Sequence, residues 1–369
     1  MNTRIVFDHQ AFTMQNYGGI SRYFVKLAES LHEDNQEIKI CATLHKNEYL
    51  ANTNTALHKG KFFKKFPPKT AKTVDFLNRI NLKRSVKKFK PDIIHETYFH
   101  HNDIKIPRKI KTVITVYDMI HEIIPESFPA YDLTSVYKKN SVFKADHIIC
   151  ISQSTKNDLL ETYDIPSEKV SVVHLAAEKI IDNPQFTNEC KNKKPFILFV
   201  GQRGGYKNFL NLLYAVSRST QLMTDFNIIT FGGGGFSQNE KNLISSLGFK
   251  ENQIINISGD DHLLSSLYKS ARLFIYPSMY EGFGLPLLEA MTNLCPVLSG
   301  NQSSLPEVAG NAARYFNPAS IEEISEVIEE VAYSDIEIER LKVLSKVQAN
   351  KFSWKKCSKE TLKIYDGLL

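Results

Sequence analysis

The sequence predicts an α/β protein made of two Rossmann-like domains, each a parallel sheet covered by helices. Apolar segments of strand length alternate with segments of helical periodicity in two successive blocks, which is typical of this fold class. The predicted strands span 4–7, 38–41, 93–94, 113–116 and 147–151 in the first block, and 196–200, 227–231, 254–257, 273–276 and 296–298 in the second. With 369 residues, of which 42% are hydrophobic, the chain has enough apolar surface for more than one core.

Composition places the boundary between the domains. Residues 177–195 mix Asn, Lys and Glu with Pro184 and Pro195 and show no periodicity. The sequence therefore predicts an N-terminal domain over 1–180, a linker over 181–195, a C-terminal domain over 196–350 and a terminal helix over 351–369. Ser353 is the expected N-cap of that last helix.

Membrane-spanning and disulfide-rich classes are not favoured. No apolar stretch approaches the roughly 18 residues of a membrane span, and the first eight residues are typical of a strand rather than a signal peptide. The five cysteines are odd in number, far apart and without a Cys-x-x-Cys pair, so we expect neither disulfides nor a zinc site. We expect a cytoplasmic protein.

Positive charge is concentrated between Thr55 and Lys90, here called the basic window. It contains twelve Lys or Arg against one acid, Asp75, with phenylalanines and aliphatic residues between them. This mixture is typical of segments that lie on an anionic membrane, but it also suits a solvated helix face or a nucleic-acid groove. We expect an anionic membrane surface or a lipid-linked substrate, and no nucleic acid.

Two carboxylates and two glycines stand at a predicted helix start in the segment Tyr276 to Ala290. A buried strand precedes them, and Pro286 has the fixed φ that suits a first helical turn. Glycines at a helix N-terminus expose backbone N–H groups at the positive end of the dipole, which favours a bound phosphate. Glu281 and Glu289 would then accept hydrogen bonds from sugar hydroxyls.

This segment resembles the donor-binding signature of family 4 glycosyltransferases, which have the GT-B fold of two Rossmann-like domains facing a central cleft and retain the anomeric configuration. The resemblance implies that Glu281 contacts the transferred sugar and that Glu289 holds the ribose. It assigns the donor phosphates to the backbone from Gly282 through Phe283 and Gly284 to Leu285. It also implies that the terminal helix packs back on the N-terminal domain.

A glycine-rich turn with two cations follows the strand at 196–200. Strand carboxyl ends are where such sheets bind ligands, and a departing diphosphate needs positive charge there. In the family an Arg and a Lys at this place clamp the diphosphate, which implies that role for Arg203 and Lys207. Lys207 matches the family position, whereas Arg203 stands one residue later than usual and Gln202 occupies the usual position.

Two loops of the N-terminal domain complete the expected site. Gly18 and Gly19 follow the first strand and allow close backbone approach to a phosphate or a sugar. The polar residues after the strand at 113–116 stand where many family members have His-Asp. Here Tyr117 replaces the histidine, Asp118 remains, and His121 follows three residues later. We expect Asp118 and His121 to act in catalysis with Glu281 and Lys207, and a structural role for His121 stays open.

The resemblance implies a retaining hexosyltransferase that uses a nucleotide-diphosphate sugar, with GDP-mannose the first expectation and a UDP-hexose the second. The acceptor would be a growing, lipid-linked glycan of cell-surface polysaccharide or lipopolysaccharide synthesis. We expect no cofactor and no metal ion, because Lys207, Arg203 and backbone amides would stabilise the diphosphate. The alternatives are a nucleotide-sugar 2-epimerase or hydrolase of the same fold, and a non-catalytic relative that binds membranes or nucleic acid.

Overall fold

The computed structural model describes residues 2–99, 106–178 and 194–369. The chain divides into two compact units, one of residues 1–175 with 353–369 and the other of residues 176–352. The linker predicted at 181–195 lies almost wholly outside the described residues.

The first unit contains a six-stranded parallel sheet in the order β2-β1-β5-β6-β7-β8 and a small parallel pair, β3 with β4. Its strands are β1 (Arg4–Phe7), β2 (Glu37–Ile40), β3 (Leu44–His45), β4 (Lys61–Phe62), β5 (Ile93–Glu96), β6 (Lys111–Val116), β7 (His147–Cys150) and β8 (Val170–Val172). Its helices are α1 (Gln10–Met14), α2 (Gly19–Glu33), α3 (Glu48–Ala51), α4 (Ala71–Phe89), α5 (Ile120–Ile123), α6 (Thr134–Lys144) and α7 (Gln153–Thr162), with 3-10 turns at Pro125–Ser127 and Ser167–Lys169.

The terminal helix (Trp354–Leu368) belongs to the first unit and packs on α2. Ser353 caps it by accepting the backbone N–H of Lys356. Its buried Tyr365 hydroxyl lies 2.5 Å from Nδ1 of His95, whose other ring nitrogen is 2.8 Å from Oγ1 of Thr115. His95 is therefore a structural residue that joins the sheet to the last helix.

The second unit contains a six-stranded parallel sheet in the order β11-β10-β9-β12-β13-β14. Its strands are β9 (Phe196–Val200), β10 (Asn227–Phe231), β11 (Ile254–Ile257), β12 (Leu273–Tyr276), β13 (Val297–Gly300) and β14 (Ala313–Phe316). Its helices are α8 (Phe209–Ser217), α9 (Thr220–Asp225), α10 (Gln238–Ser246), α11 (Asp261–Ser270), α12 (Leu285–Thr292), α13 (Leu305–Ala309), α14 (Ile321–Ala332) and α15 (Asp335–Ala349), with 3-10 turns at Gly205–Lys207 and Gly310–Ala312.

The predicted fold class is confirmed, since both units are parallel sheets covered by helices. The central strands β9 and β12 are buried along their whole length, as continuous apolar runs in parallel sheets are. The sequence did not predict the edge strands β8 and β14. Each has only three or four residues and is partly polar, so neither shows the long apolar run that marks a buried strand.

Cys41, Cys150, Cys295 and Cys357 are free and buried, and the fifth cysteine, Cys190, lies outside the described residues.

Candidate active site

The candidate site of the second unit lies at the carboxyl edge of its sheet, where the neighbouring strands β9 and β12 end. Two hydrogen bonds join the loops that follow these strands. The backbone N–H of Met279 donates to the Tyr206 carbonyl at 2.8 Å, and the Asn208 side-chain amide donates to the Pro277 carbonyl at 3.0 Å. Asn208 has a left-handed φ of 60°, which Asn tolerates better than most residues. The junction fixes the first loop against the second.

Lys207 and Glu281 meet across this junction. Lys207 Nζ donates to Glu281 Oε1 at 2.6 Å and to the Tyr276 hydroxyl at 3.2 Å. The two charged side chains are only 14% and 11% exposed. The sequence placed both residues in the donor site without predicting that they pair, and the structure brings them into direct contact.

The electrostatics of this pair keep the lysine charged. Burial alone would lower the pKa of Lys207, but the Glu281 carboxylate outweighs that effect and holds the lysine pKa well above its usual value. Burial, reinforced by Glu281, raises the pKa of Tyr276 well above its usual range, so Tyr276 is a neutral hydrogen-bonding group. The site therefore presents a fixed ammonium group at the edge of the sheet.

The backbone of Glu281 is held by two serines that the sequence did not single out. Ser303 Oγ accepts the Glu281 N–H at 2.9 Å, and Ser304 Oγ donates to the Glu281 carbonyl at 2.8 Å. Both serines follow β13, the next strand of the sheet, and Ser303 has a left-handed φ of 51°. A polar Ser-Ser pair after a buried strand is the signal that would have indicated them.

The turn from Gly282 to Leu285 leads into α12 as the sequence predicts. Gly284 is its N-cap with a φ of 87°, and a Cβ there would lie 2.8 Å from Cδ2 of Leu305. The left-handed φ favours glycine, and a side chain there would also crowd the end of the Leu305 side chain. Gly282 and Phe283 are buried beside it.

Glu289 is the fifth residue of α12, one turn past the helix start. Its Oε2 lies 3.4 Å from the Tyr268 hydroxyl, which also donates to the Pro286 carbonyl at 3.2 Å. The sequence correctly placed Glu289 early in the helix but did not indicate Tyr268, which comes from α11.

Arg203 lies in the same loop as Lys207, but its side chain turns towards the loop after β10. The residue is 6% exposed, and its guanidinium donates to Glu240 Oε1 at 2.7 Å, to the Gly232 carbonyl at 3.2 Å and to the Gly235 carbonyl at 3.0 Å. In this structure the arginine binds the loop after β10 and the start of α10, whereas Lys207 pairs with Glu281.

In the first unit, Gly18 and Gly19 begin α2 at the carboxyl edge of that sheet. Gly18 is extended and caps the helix, with its carbonyl accepting from Ser21 Oγ at 3.1 Å. The Gln15 side chain closes over this turn, because its Oε1 accepts the Ser21 N–H at 3.3 Å and a Cβ on Gly18 would collide with it. Gly19 is exposed.

Tyr117 and Asp118 follow β6. Tyr117 is buried, and its hydroxyl donates to the Thr97 carbonyl at 2.8 Å. Burial raises the pKa of this phenol well above its usual value. Asp118 is about one-third exposed and accepts the Ile120 N–H at 3.1 Å, so its carboxylate also shapes the start of α5.

A buried lysine that the sequence did not indicate supports this segment. Lys138, on α6, is 1% exposed and donates from Nζ to the Asp118 carbonyl at 2.9 Å and to Glu122 Oε2 at 2.6 Å. Its Nζ is also 3.7 Å from Asp118 Oδ1. No local pattern marks Lys138, because its partners are sixteen to twenty residues away in sequence.

His121 stacks on the Phe128 ring at 3.8 Å between centroids, and its Nε2 is 3.7 Å from Asp132 Oδ2. Burial, followed by the nearby Lys138 charge, lowers the pKa of His121. The imidazole is therefore neutral near pH 7, and its buried Nδ1 has no hydrogen-bond partner among the described residues.

Family models match nearly the whole chain. Residues 17–177 match the model described as Glycosyltransferase Family 4, and residues 181–346 match the model described as Glycosyl transferases group 1. The chain belongs to the family 4 glycosyltransferases, as the sequence resemblance indicates.

Similar proteins include two mannosyltransferases. O-antigen chain mannosyltransferase B of Escherichia coli is 27% identical over 288 residues, which cover 73% of this chain and 74% of that protein. Serotype-specific mannosyltransferase WbdA of Escherichia coli is 31% identical over 72% of this chain, and the match spans only 35% of WbdA.

Solved structures share the fold at low sequence identity. WaaG, a glycosyltransferase involved in lipopolysaccharide biosynthesis, has a TM-score of 0.73 at 17% identity and covers 98% of this chain and 100% of its own. Anabaena Alr3699/HepE in complex with UDP and glucose has a TM-score of 0.73 at 14% identity, with 99% of both chains covered. These likenesses establish the GT-B fold.

Within 2–99, 106–178 and 194–369, no group of three or more His, Cys, Asp or Glu side chains is arranged to hold a metal ion. No helix in that same part of the chain is both long and apolar enough to cross a membrane.

Proposed function

We propose that this glycosyltransferase moves a hexose, in the first instance mannose, from a nucleotide-diphosphate sugar to a growing, lipid-linked glycan with retention of configuration. The relatives named above support mannose and cell-surface polysaccharide, since two of them are mannosyltransferases and one acts on the O-antigen chain. HepE, solved with UDP and glucose, supports a nucleotide-sugar donor and keeps UDP-hexose as the second choice.

The Lys207–Glu281 pair is the observation that carries this proposal. A buried ammonium at the edge of a parallel sheet suits a leaving diphosphate, because a preorganised charge needs no rearrangement as negative charge develops. Glu281 would accept hydrogen bonds from the transferred sugar, and Glu289 from the ribose. The backbone from Gly282 to Leu285, at the start of α12, would meet the phosphates.

The proposed reaction is front-face displacement. The acceptor hydroxyl oxygen forms a bond to the anomeric carbon while the bond from that carbon to the diphosphate oxygen breaks. The hydroxyl proton passes to the departing phosphate, whose charge Lys207 stabilises. The nucleoside diphosphate leaves, and the glycosidic bond keeps the configuration of the donor.

We assign acceptor recognition to the first unit, with Asp118 as the polar group that would meet the acceptor. Asp118 is partly exposed. The Tyr117 hydroxyl, in contrast, donates a hydrogen bond to the Thr97 carbonyl, and His121 is stacked on Phe128. Lys138 would keep Asp118 in place. We also propose that catalysis needs no divalent metal, because Lys207 supplies positive charge where the leaving group forms.

We propose that the basic window docks the enzyme on the cytoplasmic face of an anionic membrane. All of its Lys and Arg side chains except Arg79 are exposed. On α4 the exposed Phe76 and Leu77 accompany Lys72, Lys83, Arg84, Lys87 and Lys88. The exposed apolar side chains can insert partly into a membrane while the cations around them are attracted to anionic lipid. A helix face that is only solvated has no need of exposed apolar side chains.

Transfer of labelled sugar tests the proposed function. The purified enzyme is incubated with GDP-mannose labelled in the sugar and with bacterial membranes as the acceptor source, with either Mg²⁺ or EDTA. We expect label in lipid-linked glycan under both conditions and almost none with Glu281→Gln or Lys207→Met. Release of free sugar or of a 2-epimer without an acceptor would instead support the hydrolase or epimerase alternative.

A further inference from the structure

Arg203 is fully engaged in binding its own chain. Three of its nitrogens donate to Glu240 Oε1, the Gly232 carbonyl and the Gly235 carbonyl at 2.7, 3.2 and 3.0 Å. The guanidinium carbon lies 4.6 Å from the centre of the Phe236 ring. Freeing this side chain for a ligand would leave Glu240 without its buried partner, which is costly.

The loop that Arg203 holds is rich in glycine. Its first residue, Gly232, is also bonded to the neighbouring strand, with its N–H donating to the Ile257 carbonyl at 2.9 Å and its carbonyl accepting from Asn256 Nδ2 at 2.8 Å. Gly232, Gly233 and Gly234 all have left-handed φ values, of 84°, 69° and 70°. Glycines adopt this conformation readily but also leave it readily, since they have no side chain to pack. A Cβ on Gly233 would lie 2.9 Å from Arg203 Nη1, so the guanidinium fits closely against the backbone.

The other side of this loop is open. A Cβ added to Gly232, Gly234 or Gly235 would meet nothing within 4 Å. The loop follows β10, which pairs with β9, and the turn after β9 carries Lys207. An open backbone surface therefore lies at the same sheet edge as the cation proposed to meet the diphosphate.

Glu240 couples the loop to α10. One carboxylate oxygen accepts from Arg203, and the other accepts the Ser237 N–H at 2.7 Å and the Ser237 hydroxyl at 2.8 Å in a capping box. The Arg203–Glu240 ion pair thus anchors the glycines to the start of a helix.

We propose that Arg203 is a positioning residue that holds the Gly232–Gly235 loop in the shape that receives the nucleoside part of a nucleoside diphosphate, and that Arg203 does not itself bind the diphosphate. The inference rests on the proposed function, since it takes the donor to be a nucleotide sugar. It also differs from the role that the family resemblance implies for Arg203.

Two conservative variants separate positioning from direct binding. Arg203→Lys keeps the charge but cannot make three directed hydrogen bonds. Glu240→Gln keeps the size of the side chain but removes the charge that holds the arginine. If Arg203 bound the diphosphate, Arg203→Lys would keep most of the affinity for GDP, and Glu240→Gln would leave it unchanged or improve it by freeing the guanidinium.

For a positioning residue we expect both variants to weaken GDP binding by about tenfold or more, as expected for the loss of a charge-assisted hydrogen bond. Calorimetric titration measures this affinity, with UDP as a second probe. Inorganic pyrophosphate should bind the wild type and both variants equally, but should bind Lys207→Met more weakly. Amide hydrogen exchange of the segment 232–236 should be faster in both variants without any ligand.

The control is Gln238→Ala, an exposed residue of α10 whose side chain bonds Asn242 and touches neither Arg203 nor Glu240 in the hydrogen bonds described, and it should retain wild-type GDP affinity. Unchanged or tighter GDP binding by Glu240→Gln would overturn the positioning role of Arg203, and so would unchanged amide hydrogen exchange in the segment 232–236. If the wild type still binds GDP in that case, the proposed function stands. A wild type that binds no nucleoside diphosphate would overturn both.

Discussion

Lys207 and Glu281 are 74 residues apart in sequence, yet they form a 2.6 Å ion pair because the strands that precede them are neighbours in one parallel sheet. The strands end at the same edge, so their loops meet there. The pair is nearly buried and bonded on the lysine side to the Tyr276 hydroxyl. Each of these two side chains, both of which we assign to donor binding, therefore has the opposite charge of the other beside it.

Removing either member of this pair should abolish most sugar transfer. We expect Glu281→Gln and Lys207→Met each to lower kcat by roughly 10²–10³-fold, the usual cost of losing one preorganised electrostatic group. Initial rates at saturating donor measure the effect. The matched control is Lys241→Met, which changes an exposed lysine on α10 and should keep wild-type activity.

The same pair should show coupled effects on stability. Lys207→Met leaves a nearly buried carboxylate without its partner and should lower the free energy of unfolding by about 1–3 kcal/mol. The double variant Lys207→Met/Glu281→Gln should lose less than the sum of the single losses, since it leaves no unpaired charge. Urea unfolding measures all four proteins, and strictly additive losses would contradict the coupling.

Gly284 should be intolerant of any side chain. Gly284→Ala adds backbone strain at a φ of 87° and a collision with Leu305, so we expect a loss of about 1–3 kcal/mol in unfolding free energy together with weaker donor binding. Gly248→Ala is the control, because its φ is 82° but a Cβ there meets nothing within 4 Å. Equal losses in the two variants would show that the collision does not matter.

The first unit should lose stability as the pH falls. Burial lowers the pKa of His95 to about 3 and that of His45 to about 4. Both are neutral in the folded state, and the unfolded chain takes up protons first, near pH 6.5. Each histidine therefore contributes stability that is complete above about pH 6.5 and is lost below it by up to about 1.4 kcal/mol per pH unit.

His95→Asn tests this dependence, since Asn keeps one donor and one acceptor without titrating. We expect a lower free energy of unfolding at pH 7 but a shallower decrease between pH 6.5 and pH 4, measured by urea unfolding at several pH values. A slope equal to that of the wild type would show that His95 does not contribute to the acid dependence.

Neutralising the basic window should release the protein from anionic vesicles. We expect the fivefold variant with Lys61, Lys64, Lys65, Lys87 and Lys88 changed to Gln to lose most binding in vesicle cosedimentation. The control changes five exposed lysines elsewhere, at 241, 250, 346, 355 and 359, and should keep it. Equal loss of vesicle binding in both variants would indicate that binding depends on net charge and not on the basic window. Undiminished binding by the first variant would exclude the basic window as the docking surface.

The sequence predicted those features of the site that depend on strand ends and glycines. Lys207 and Glu281 follow buried apolar strands, and Gly284 stands before a proline in a first helical turn, so their places are local information. The direction of a long side chain is not local, which is why the contacts of Arg203 with Glu240 and with the glycines after β10 could not be predicted from the sequence. Lys138 was missed for the same reason, since its partners are brought to it by the fold. Ser303 and Ser304 did have a local signal, a polar pair after a buried strand, but their bonds to Glu281 also depend on the fold.

Titration of nucleoside diphosphates into wild-type protein and Lys207→Met in EDTA tests the central claim most directly. We predict that one diphosphate, GDP first, binds the wild type without added metal and binds Lys207→Met at least about tenfold more weakly, as the loss of a charge-assisted contact requires. Equal binding to both proteins, or binding to neither by GDP, UDP, dTDP, ADP or CDP, would contradict the assignment of the donor site to Lys207 and Glu281.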